Sequence, residues 1–208
     1  MRRILVALAI SAATAGIAHA VAQDASQPAS ATAPADVRAG AYALDKSHAK
    51  IVWGASHFGF STYYGEFADF DAALTLDPAA PANSKLNVTV QTASVATHNP
   101  KMDAHLKSDD FFGVEKHPTA TFVSTAVRPT GARTADVTGN FTLLGVTKPL
   151  TLAVTYNGAG ISPAGGKYVV GFSATGTVKR SEYGMTYAVP GVSDEVKLII
   201  SGEFNPAA

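Results

Sequence analysis

Histidine is the side chain in this sequence best suited to acid–base or metal chemistry, yet its spacing favours neither. Beyond His19 stand His48, His57, His98, His105 and His117, with the closest two seven residues apart. A metal motif sets histidines about three or four apart with a carboxylate nearby, so no metal ligand set and no cofactor are expected. The chain has no cysteine and no Gly-x-Ser-x-Gly elbow to present an activated serine. One acid–base pairing stays open, His57 with Glu182 or Asp109, as in a hydrolase or isomerase. Arg180 is the other group of interest. An arginine directed into an apolar interior must be paired or near water. Glu182, two positions on, is the expected ion-pair partner, and a ligand's phosphate or carbonyl oxygen is the alternative.

The elements that must position these groups show a period of two from Tyr42 onward, the mark of half-buried strands. Ile51, Trp53, Ala55 and His57 share one face, as do Phe70, Ala72 and Leu74, and then Leu86, Val88 and Val90. Ala120 with Phe122, Gly139 with Phe141, and Leu150 with Leu152, Val154 and Tyr156 continue the pattern. Phe172, Ala174 and Val178 share their parity with Arg180, and Val196, Leu198, Ile200 and Phe204 close the series. Turn signals separate the runs at Asp77-Pro78, Gly145, Asn157-Gly158, Gly165-Gly166 and Gly184. One helix is expected after Asn99-Pro100, where Asn caps and Pro takes the first helical position. It should cap or plug one end, with Phe111 and Phe112 sealing that end behind it.

This is an all-β chain of about eight or more antiparallel strands. A filled sandwich and a closed barrel share the pattern. Small inward residues (Ala55, Ala72, Ala120, Ala174) leave room and favour a barrel with an apolar cavity, since about eight strands enclose one small ligand. The expected ligand-binding wall comprises Ile51, Trp53, Ala55, His57, Phe70, Ala72, Leu74, Leu86, Val88, Phe111, Phe112, Ala120, Phe122, Phe141, Leu152, Phe172, Ala174, Arg180, Val196 and Leu198. A merely filled core, as in a stress-response protein without stored ligand, is the rival.

The first residues carry an address. Arg2-Arg3, an uncharged run from Ile4 to Ala18 and Ala18-His19-Ala20 form a secretory signal, with cleavage expected after Ala20. As a helix that run of 15 residues reaches only about 22 Å, too short to span a bilayer. Residues 21–40 are rich in Ala, Pro and Ser and read as a flexible tether, leaving residues 41–206 as one domain. Removing Arg2 and Arg3 from 16 basic residues leaves a net charge of −2 against 16 acidic ones. That balance argues against nucleic acid and stable membrane insertion as partners, and a homodimer is left open.

Several runs resemble one family in order along the chain. His57-Phe58-Gly59-Phe60-Ser61-Thr62 with Gly65-Glu66-Phe67 is similar to the first hairpin of the YceI-like, polyisoprenoid-binding proteins. His105-Leu106-Lys107-Ser108-Asp109-Asp110-Phe111-Phe112 and Glu115-Lys116-His117-Pro118-Thr119-Ala120-Thr121-Phe122 resemble its central motif. Gly145-Val146-Thr147-Lys148-Pro149, Arg180-Ser181-Glu182-Tyr183-Gly184-Met185 and Val192-Ser193-Asp194-Glu195-Val196 match its later ones. Tyr183 and Glu182 depart from the usual Phe and Asp while keeping size or charge. The resemblance implies a lipocalin-like extended barrel, a periplasmic setting and binding rather than catalysis. The ligand it implies is a polyisoprenoid or a related long-chain amphiphile, such as an isoprenoid quinone, an isoprenyl phosphate or a fatty amide.

Overall fold

Alternating apolar residues make strands here because successive side chains leave a pleated backbone on opposite faces. The computed structural model describes residues 33–207; the expected signal segment and the first part of the expected tether lie outside them. Among the described residues, ten strands form a single sheet. The chain runs through β1 (Gly40–His57), β2 (Ser61–Phe67), β3 (Phe70–Leu76), β4 (Lys85–Gln91) and β5 (Val95–Ala96) to α1 (Pro100–Lys107). It continues as β6 (Thr119–Pro129), β7 (Thr134–Leu143), β8 (Val146–Ile161), β9 (Tyr168–Lys179) and β10 (Val192–Pro206).

Closure decides between sandwich and barrel. Strands follow the antiparallel order β10-β9-β8-β7-β6-β4-β3-β1, and β10 pairs with β1 as well, so eight strands close on themselves. The eighteen-residue β1 makes this possible by changing partner along its length. Gly40–Ala43 pair with β3, whereas Ile51–His57 pair with β2, which lies with β5 beside the barrel as an extra flap. A register shift between Asp45 and Lys50 marks the changeover. No helix among the described residues is long and apolar enough to cross a membrane.

The helix forms where its cap signals stand. The Asn99 side chain accepts hydrogen bonds from the backbone N–H groups of Lys101 and Met102, with Pro100 opening the helix. Met102 and Leu106 then pack with Trp53, Val95, Phe111 and Phe112 at one end of the barrel.

Several expectations change. Asn157-Gly158 is not a turn: it lies inside β8, at a bulge where the pairing with β9 shifts between Tyr156 and Gly158. The backbone there stays in the sheet because Asn157 Nδ2 donates to Ser173 Oγ on β9 at 2.8 Å, and Arg133 Nη2 donates to the Asn157 carbonyl at 2.9 Å. The described end of the tether is docked rather than free. Val37 is buried in the core with Tyr42, Leu74 and Phe204, while the Arg38 guanidinium sits 4.2 Å above the Tyr168 ring. A further change concerns Arg180.

Candidate functional site

The inward side chains of the barrel do not meet at its axis. They leave two adjoining apolar chambers, of about 500 Å³ and about 260 Å³. Ile51, Val88, Leu152 and Ile200 line both, so β1, β4, β8 and β10 each place one aliphatic side chain at a shared waist. The two chambers therefore abut at these four side chains.

The larger chamber lies beneath α1. Trp53, Ala55, Ala120, Phe122 and Phe141 form its strand wall, with Val196 and Leu198 from β10. Phe111 and Phe112 close it from the segment after the helix, as their position behind α1 suggested. Phe112 meets Phe67 edge-on at 5.4 Å between ring centres. Phe111, His105 and Tyr187 form a trio with centres 5.0 to 5.3 Å apart, joining the helical segment to the loop before β10. The smaller chamber takes Phe70, Ala72 and Leu74 from β3, Leu86 from β4, and Phe172 and Ala174 from β9. Each side chain proposed from parity thus reaches one chamber or the other.

His57 and Arg180 occupy the larger chamber in ways that parity did not foresee. His57 follows a register shift after Ala55 and is exposed at the rim, its ring edge-on to Phe58 at 4.7 Å, unlike the buried Ile51, Trp53 and Ala55 that share its parity. Arg180 is not on a strand. It opens a 3-10 turn, Arg180–Tyr183, that ends on Gly184 at φ 90°. Its side chain is 3 % exposed and is satisfied by carbonyl oxygens, not by Glu182. Nε donates to Ser193, Nη1 to Met185 and Tyr187, and Nη2 to Val192, all between 2.8 and 3.1 Å. Burial pushes its pKa down from the usual value, with Asp194 opposing. Glu182 faces Lys148 at 3.8 Å and Asp109 pairs with Lys116, so the carboxylates considered for an acid–base dyad are turned to lysines.

Asp194 anchors the same turn. Its carboxylate accepts the Ser181 N–H and the Ser181 hydroxyl, each at 2.8 Å, and these bonds hold its pKa below the usual carboxylate range. The indole N–H of Trp53 is buried with no acceptor.

The sequence reading missed wall residues held by irregular backbone. Met185, Tyr187 and Ala188 come from the loop after the 3-10 turn, and Pro34 and Val37 from the docked tether. Val137 sits on β7, and its parity with Gly139 and Phe141 was a usable signal, whereas Val127 has the opposite parity to Ala120 and Phe122 on β6 and turns inward because the pairing with β7 shifts between Ser124 and Ala126. One polar trio also escaped spacing arguments: Asp45, His48 and Glu203 converge outside the channel because the β1 shift faces β10 there. Its Asp45 to His48 bond, 3.0 Å from Oδ2 to Nδ1, raises the His48 pKa.

A closed antiparallel barrel with an apolar two-chambered channel and a helix at one end defines a cavity-bearing β-barrel of the lipocalin-like kind. A family model described as the YceI-like domain matches residues 42–204, and the chain belongs to that family. A UPF0312 protein of Azotobacter vinelandii is 40 % identical over 205 residues, covering 98 % of this chain and 97 % of its own. The crystal structure of the Campylobacter jejuni YCEI protein is similar with TM-score 0.66 and 33 % identity, over 74 % of this chain and 90 % of that one. A polyisoprenoid binding domain from Saccharophagus degradans shares the fold at TM-score 0.60 and 12 % identity, over 82 % of this chain and all of that one, 100 %.

Proposed function

We propose that this protein is an exported carrier that holds one long-chain isoprenoid amphiphile in its channel, and that it binds rather than transforms it. The observation that carries the reading is the waist: two apolar chambers that adjoin at shared side chains suit an extended chain better than a compact ligand. The likeness to a domain described as polyisoprenoid-binding supports the same class of cargo. Each methylene taken from water contributes about 0.8 kcal/mol, so an isoprenoid tail has ample gross driving force. Ordering that tail offsets much of it.

Native mass spectrometry of protein purified without detergent tests the proposal. A mass increment matching a prenol, isoprenoid quinone, isoprenyl phosphate or fatty amide is the expected result. An empty barrel that also fails to take up added solanesol would overturn it. Export belongs to the same proposal: N-terminal sequencing of the secreted product should begin at Val21, and an uncleaved cytoplasmic chain would defeat that part.

A further inference from the structure

The hairpin joining β1 to β2 is built around an aromatic residue at a position that folding alone would give to asparagine. Phe60 N–H donates to the His57 carbonyl at 3.0 Å, closing a two-residue turn at Phe58-Gly59. Both turn residues are left-handed, with φ of 49° at Phe58 and 74° at Gly59. That mirror-image turn favours Asn-Gly, and a bulky residue at its first position is strained. The surroundings enforce the strain. Phe58 N–H donates to the Gly191 carbonyl at 2.7 Å, and a Cβ at Gly191 would overlap the Phe58 ring. Strain held by two contacts with Gly191 in this way points to a role beyond folding.

The tip leaves its aromatic rings in water. Phe60 is 90 % exposed, Phe58 59 % and Tyr64, further along β2, 57 %. Phe58 and Tyr187 also line the larger chamber, so the channel wall continues onto this outer surface. No Asp or Glu occurs from Ser56 to Gly65, so nothing there repels an anionic surface.

We infer that the Phe58–Phe60 tip docks on a phospholipid bilayer, bringing the mouth of the larger chamber to the phase that holds its cargo; this rests on the carrier reading above. A bilayer fits better than a protein partner because a stable protein interface needs on the order of 1,000 Å² of complementary surface, which a two-residue tip does not offer. A lipid interface accepts aromatic rings of any arrangement. Two rings give reversible attachment, not insertion.

Flotation with vesicles of equimolar phosphatidylethanolamine and phosphatidylglycerol, and with phosphatidylcholine vesicles, tests the inference. The protein should float with both. Phe60→Ser should weaken that association roughly ten-fold or more, the scale expected for one lost aromatic burial. Phe58→Asn with Phe60→Ser should abolish it. Phe60→Ser should keep the wild-type circular dichroism and take up farnesol without vesicles as before, because Phe60 is exposed and lines neither chamber. Wild-type protein that never floats, or Phe60→Ser that floats equally well, overturns the inference. So does self-association in sedimentation that Phe60→Ser removes, since the tip would then join two copies. Loss of farnesol uptake in the wild type would instead count against the carrier reading, and the vesicle comparison would still decide docking.

Discussion

Trp53 lies against Gly65, its cross-strand partner, so closely that a Cβ at position 65 would overlap indole atoms Cε2 and Cζ2. The glycine lets the large ring flatten onto β2 and roof the larger chamber under α1. Gly65→Ala should push the indole away and cost about 1–3 kcal/mol, the usual range for overpacking. Urea denaturation and a shifted tryptophan emission would report it. An unchanged midpoint with unchanged emission would contradict this packing.

Trp53→Phe should cost much less. The substitution sheds apolar contact but also removes a buried donor without an acceptor, which by itself costs about 1–3 kcal/mol. Thermal melting should place this variant within about 1 kcal/mol of wild type. A loss of several kcal/mol would mean that the N–H has a partner in solution.

The waist should act as a ruler. Val88→Phe adds bulk where the chambers meet, so a short prenol should still fill the larger chamber while a long one is refused. Native mass spectrometry with farnesol and solanesol separates the cases. Equal uptake of both by the variant would mean that the chambers are not in series.

Arg180→Met should be among the most damaging single changes. It leaves the carbonyls of Met185, Tyr187, Val192 and Ser193 without their donor while conserving much of the side-chain length. A loss of about 3–5 kcal/mol is expected in urea, since several buried acceptors go unpaired together. Arg180→Lys should recover only part, because an ammonium cannot reproduce the fork. Full stability in either variant would argue against the carbonyl cage.

Acid should loosen the same turn. Asp194 has its pKa lowered on folding, first by the Ser181 backbone N–H, so its contribution is present above the unfolded value near about 3.9. That contribution is lost as pH falls through the lower folded value. Asp194→Asn should therefore be less stable than wild type at neutral pH, with the gap closing below about pH 4. A gap that stays constant through acid would show that ionisation of Asp194 does not matter.

Much of this protein is legible in its residue order. The period of two assigns Trp53, Ala120, Phe122, Phe172 and Ala174 to the interior, because parity along a strand is a local property. Asn99-Pro100 starts the helix for an equally local reason, the satisfaction of its first N–H groups. Tertiary structure decided the rest. A sandwich and a barrel have the same parity, and only the pairing of Ile51 with Ile200 and of Trp53 with Leu198 closes the sheet. Asn157-Gly158 reads as a turn in isolation and becomes a bulge because β9 holds both sides of it. Arg180 finds carbonyl oxygens, groups that every residue carries and that no side-chain pattern can single out. The channel itself is a difference between the volume the barrel encloses and the side chains that fill it, and that difference exists only once the strands are closed.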